Sequence, residues 1–154
     1  MNEKSLQEIH SPQGICFGCG PLNEKGLRIR SFVRGEEVVL DWTPEKHHQA
    51  FPGVLNGGII GALFDCHCNW TAAHALMKRA GTEHAPTTVT AEYSVKLSRP
   101  TPTAGPVHIS AKTVEISDDR ATIEATLEAG GKVCASARGV FVAVKPGHPA
   151  YHRW

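Results

Sequence analysis

The sequence predicts an α+β domain in which an antiparallel sheet curls around one long helix. Three observations lead there. The run 59–79 has few helix breakers and lies between Asn56, a favourable N-cap type, and Ala80-Gly81. The other apolar segments alternate with a period of two, the mark of half-buried strands. They are joined by short turns, Arg34-Gly35-Glu36, Asp118-Asp119 and Gly130-Gly131, which make hairpins and not the crossovers of a parallel sheet.

In chain order, residues 1–15 read as a polar leader with a short helical turn. Cys16-Phe17-Gly18-Cys19-Gly20-Pro21 is a tight, glycine-rich turn. Residues 26–33 alternate apolar and polar, so a strand is expected there, paired with a second strand over 37–42. Residues 43–52 form a loop containing His47-His48. After the helix come segments 87–98, 107–117 and 120–144, the last split at Gly130-Gly131. The domain proper spans 16–145, and 146–154 is an irregular tail rich in Pro, Gly and His. The count is five to six strands.

With 154 residues the chain suits one domain that can bury a core without disulfides or metals. Lys and Arg total 16 against 15 Asp and Glu, so no basic excess points to nucleic acid or an anionic membrane. No apolar run reaches the ~18 residues of a membrane helix, and the first residues carry no signal-peptide core. Five cysteines, an odd number, fit reduced thiols and a cytoplasmic protein better than a disulfide framework.

The helix carries the candidate chemistry. Stepping ~100° per residue from Asp65, its own face holds Gly58, Gly61, Ala62, Cys68, Asn69 and Ala72, all small or polar. Ile60, Leu63, His67, Trp70 and His74 lie opposite. A carboxylate on a thin face of an apolar helix costs energy unless it is paired, hydrated or used. At the helix start, Gly57 and Gly58 leave backbone N–H groups uncovered, where the helix dipole favours a polarised carbonyl oxygen or an anion. Asn56 and Asp65 are separated by roughly 13.5 Å of helix axis at the standard rise. The donors and the carboxylate of one chain are too far apart for one small reacting group. If both serve one site, they come from two chains of a symmetric dimer.

The stretch Asn56-Gly57-Gly58-Ile59-Ile60-Gly61-Ala62-Leu63-Phe64-Asp65 resembles the signature of hotdog-fold acyl-CoA thioesterases of the phenylacetate-degradation (PaaI-like) type. Thr90 to Pro100 looks like that family's central strand, and Cys16 to Gly20 with Asn23 and Gly26-Leu27 resembles its N-terminal feature. The resemblance implies a hotdog fold and an acyl-CoA substrate. It implies a homodimer or homotetramer, with no metal or organic cofactor. It also implies roles. The N–H of Gly58 or Gly57 polarises the thioester carbonyl, Asp65 of the facing subunit activates water or attacks, and Thr90 helps hold the water. Asn56 stands where the family more often has His, and cannot titrate. Asn69 and Cys68, further along the Asp65 face, are candidate substrate contacts.

Other chemistries have weaker support. Cys16-x-x-Cys19 has zinc-knuckle spacing, but Cys66 and Cys68 diverge by ~200° on a helix and cannot both complete the site. Cys16 and Cys19 are therefore read as packing a turn. No Gly-x-Ser-x-Gly elbow or Walker loop is present. Gly57-Gly58-x-x-Gly61 lacks the βαβ context of a dinucleotide loop. His47, His48, His74, His84 and His108 read as surface or partly buried histidines, and Trp70 as core. Besides a thioesterase, a non-catalytic acyl-CoA binder on the same scaffold fits these residues.

Overall fold

A computed structural model describes residues 2–151 and 153–154. The elements, in order, are α1 (Leu6–His10), β1 (Phe32–Arg34), β2 (Glu37–Trp42), β3 (Gln49–Phe51), β4 (Val54–Leu55), α2 (Gly57–Ala80), β5 (Thr88–Leu97), β6 (Val107–Ile116), β7 (Arg120–Ala129) and β8 (Lys132–Ala143). A six-stranded, curved antiparallel sheet runs β1-β2-β6-β7-β8-β5, and β3 and β4 form a separate small ribbon. The helix α2 packs against β5 to β8.

The helix ends are set by side-chain and backbone caps. The Asn56 side chain accepts the Ile59 N–H at 3.0 Å, covering one of the donors a helix start leaves unpaired. Gly81 ends α2 in the left-handed region at φ 70°, and the Thr82 N–H reaches back to the Met77 carbonyl at 3.2 Å. Between the caps, Ile60, Leu63, Phe64 and Leu76 are buried against Leu40, Ile109, Ile123, Leu127 and Phe141. Each such burial stabilises the fold by about 1.5–3 kcal/mol. On the sheet, Ile123, Ala125 and Leu127 are buried while Thr126 and Glu128 are exposed, the alternation expected of a one-sided strand.

His67 is fully buried on the far side of α2. Its Nε2 lies 2.9 Å from the Val38 carbonyl and its Nδ1 2.8 Å from Ser31 Oγ. A carbonyl can only accept, so Nε2 carries the proton and Ser31 donates to Nδ1. Gln7 from α1 completes the chain, donating to Ser31 Oγ at 3.0 Å and accepting the Ser31 N–H at 2.8 Å. Leu6 and Gln7 are buried, so the first helix is packed onto the domain.

The strands after the helix begin and end within about two residues of expectation. The strand expected over 26–33 is a correction: only 32–34 is strand. Arg28 sits at φ 59°, which breaks an extended ladder. The amides of Leu27 and Ile29 donate instead to the carbonyls of Phe17 and Gly18 in the cysteine turn. The expected loop 43–52 contains a single 3₁₀ turn, Lys46–His48, and then β3.

Candidate functional site

Asp65 is half-buried on α2, and Thr90 of β5 donates to its Oδ1 at 2.6 Å. The pairing of β5 with β8 slips between Thr90 and Glu92, a bulge that bends the strand beside the carboxylate. Burial pushes the Asp65 carboxyl above its ordinary value. The Thr90 hydrogen bond and the Arg153 charge oppose that shift, and a charge on Cys16 adds to it.

Asp65 and Thr90 line a cavity of about 290 Å³ with Asn69, Cys16, Cys19 and Cys66. Asn69 is 7% exposed; its Nδ2 donates to the Thr88 carbonyl at 3.3 Å, and its Oδ1 has no partner among the described residues. Cys68, expected beside a substrate, lies instead in the apolar core at 2% exposure and does not line the cavity. Three residues on from Asp65 it is turned ~60° around the axis, enough to carry it into the core.

Asn56, Gly57 and Gly58 do not line this cavity either. Gly58 is exposed at the helix start. A Cβ on Gly57 would press on Leu97 at 3.2 Å, and one on Gly61 would lie 3.6 Å from the Tyr93 hydroxyl, so the first turns of α2 run close beneath β5. Within one chain, the donors at the helix start and the carboxylate remain apart.

The sequence reading missed two contributors and set aside a third. Cys66, weighed only together with Cys68, joins Cys16 and Cys19 by itself, with all three sulfurs within 4.8 Å of one another. Arg153 reaches the Thr88 carbonyl at 2.8 Å and lines the cavity. Trp154 stacks on Trp70, with ring centroids 4.0 Å apart, so the tail expected to be irregular packs over the cavity. The signal for this is the pair of aromatics, Tyr151 and Trp154, in a tail otherwise made of Pro, Gly, Ala, His and Arg. A larger groove of about 570 Å³ lies on the sheet face of Glu124, Thr126 and Arg138, and none of the candidate residues line it.

No family model matches the chain, and no curated protein matches it. Solved structures do. A thioesterase superfamily protein from Shewanella loihica is 29% identical, with 76% of this chain and 91% of that one covered, at a TM-score of 0.64. A thioesterase from Haemophilus influenzae is 16% identical over 96% of this chain and 97% of that one, at 0.72. A phenylacetic acid degradation-related protein from Ralstonia eutropha is 18% identical over 76% and 86%, at 0.63. The last two are alike in fold alone. The one long helix, the six-stranded antiparallel sheet around it and these neighbours together show that the chain has the hotdog fold, and the Shewanella protein it resembles at 29% identity is one of the thioesterase superfamily.

Proposed function

We propose that the chain is an acyl-CoA thioesterase whose site is shared between two copies. The observation that carries this reading is the Asp65 carboxylate: half-buried, raised in pKa, held through Oδ1 by Thr90, and open to a cavity. Oδ2 is left to take a proton from water, and a raised pKa makes the carboxylate a stronger base. Water adds to the thioester carbonyl as Asp65 takes its proton. The resulting oxyanion is held by the N–H groups of Gly57 and Gly58 of the second copy. The C–S bond then breaks, the carboxylic acid forms, and the proton passes to the departing CoA sulfur. The unpaired Asn69 Oδ1 offers an acceptor to a substrate N–H or O–H.

The second copy is called for by the exposed features of one chain. Strand β5 is a sheet edge, with Tyr93 43% and Leu97 55% exposed, and Gly58 lies open beside it. A long uncovered edge of this kind invites pairing. Two copies, and pairs of dimers, would cover it. The five free cysteines suit a reducing compartment such as the cytoplasm.

The test is a panel of aryl, short-chain and long-chain acyl-CoAs with a thiol-detecting reagent. Release of CoA from at least one of them is expected. Acyl-CoA binding without any release of CoA would replace the enzyme with the non-catalytic binder.

A further inference from the structure

We propose that Cys16, Cys19 and Cys66 form a site for one thiophilic divalent cation, zinc, with its fourth position open to the cavity that holds Asp65. The inference does not rest on the thioesterase reading.

The geometry fits. The Cys16 and Cys66 sulfurs are 3.8 Å apart, and all three sulfurs lie within 4.8 Å of one another. Three sulfurs around a tetrahedral zinc, each at about 2.3 Å, stand about 3.8 Å from one another. Closing the set asks only for small side-chain rotations. Two sulfurs come from one tight turn, in which the Gly20 N–H donates to the Cys16 carbonyl at 2.8 Å. The third comes from α2, the residue after Asp65.

The turn is shaped for this approach. A Cβ on Gly18 would collide with the Cys66 sulfur, and a Cβ on Gly20 would collide with the backbone at Cys16 and Ile15. Glycine at these positions lets the Cys16–Cys19 turn lie against the helix. The other two cysteines behave differently: Cys68 and Cys134 are each buried in the apolar core, apart from this cluster, as small hydrophobes.

The charge balance and ligand chemistry agree. Zinc with three thiolates carries one net negative charge. Arg30, bound to the Cys19 carbonyl at 3.2 Å, and Arg153, on the cavity wall, are placed to balance it. An all-sulfur donor set selects a soft d¹⁰ ion over magnesium or calcium. Three protein ligands facing a cavity leave the fourth place to water or another small ligand.

The test uses the full chain, reduced and stripped of metal, titrated with Co²⁺ as a probe and then Zn²⁺. One equivalent of cobalt per chain is expected, with a thiolate-to-cobalt charge-transfer band and tetrahedral d–d absorption, all displaced by zinc. Cys16→Ser, Cys19→Ser and Cys66→Ser should each abolish the band, while Cys134→Ala keeps full stoichiometry. Alkylation followed by mass spectrometry covers the case in which a serine variant does not fold. Bound zinc should protect Cys16, Cys19 and Cys66 of the wild-type chain. The proposal falls if the reduced wild type binds no stoichiometric metal, if the band is missing, or if Cys134→Ala loses the metal as well. It also falls if the purified chain carries a Cys16–Cys19 disulfide that chelation and reduction do not convert to a metal-binding form.

Discussion

Asp65 and His67 stand two residues apart on α2, about 200° around the axis, and meet opposite environments. His67 is sealed in, with both ring nitrogens bound and burial holding its pKa down to about 4. Asp65 is half-buried, makes one short hydrogen bond, and borders a cavity shared with crowded thiols. The same helix carries one titratable group that is neutral and fixed, and another whose ionisation is costly and accessible. Satisfied polar burial is a structural role, whereas unsatisfied polar burial beside a cavity is a candidate for chemistry.

That contrast can be broken most directly at Asp65. Asp65→Asn keeps the shape and still accepts from Thr90, but removes the base, so hydrolysis should fall by a factor on the order of 10² or more. Its pKa is raised in the fold, so the ionised form opposes folding above that pKa. The Asn variant should therefore melt no lower than wild type at neutral pH. An active Asp65→Asn enzyme would end the catalytic assignment.

A mixed dimer sharpens the same point. Gly58→Pro removes one N–H at the helix start and should be inactive alone, as should Asp65→Asn. An equal mixture that exchanges freely should regain about a quarter of wild-type activity, because half the dimers carry one intact site. Demonstrated heterodimers without activity would rule out a shared site.

At His67 the expected loss is stability. His67→Ala strands the Ser31 hydroxyl and the Val38 carbonyl and opens a cavity, so it should cost about 3 kcal/mol, or roughly 6–12 °C in Tm. The pH dependence has a definite sign. His67 binds a proton more readily unfolded, at about 6.5, than folded, at about 4. Its contribution is complete above the unfolded value and is lost as pH falls from about 6.5 to about 4, in all about 3 kcal/mol. Burial also lowers His10, His48 and His74, so the difference in slope between wild type and His67→Ala isolates this group. The smallest effect is at the helix start, where Asn56→Ala should cost about 1 kcal/mol as a lost cap and leave the backbone donors in place.

The sequence made α2 and β6 to β8 legible because their signals are local. Asn56 and Gly81 cap the helix, and the alternation through Ile123, Ala125 and Leu127 needs no distant partner to be read. Residues 26–31 misled because Leu27, Arg28 and Ile29 alternate like a strand while the Leu27 and Ile29 amides hydrogen-bond to the cysteine turn. Asp65 stands out as the one carboxylate on the thin face of α2, and Thr90 through the family resemblance. The sequence reading pairs Cys66 with Cys68 and so sets both aside; that Cys66 alone meets Cys16 leaves no spacing pattern, because it joins segments fifty residues apart. Arg153 and Trp154 were hidden for the same reason, since their partners Thr88 and Trp70 are distant in the chain.

The seam between β2 and β6 has a consequence for how fast the chain assembles. Val38 pairs with Ala111 across it, whereas β6 and β7 meet through a short turn at Ile116 and Ala121. Closing a loop of roughly seventy residues instead of about five costs about 2 kcal/mol more in chain entropy. The β6-β7-β8 meander should therefore gather first, and β1-β2 should dock late with the His67 network. Substitutions in the 117–119 turn are expected to slow refolding. Val38→Ala at the seam should chiefly speed unfolding, and stopped-flow chevrons for the two variants would separate these outcomes.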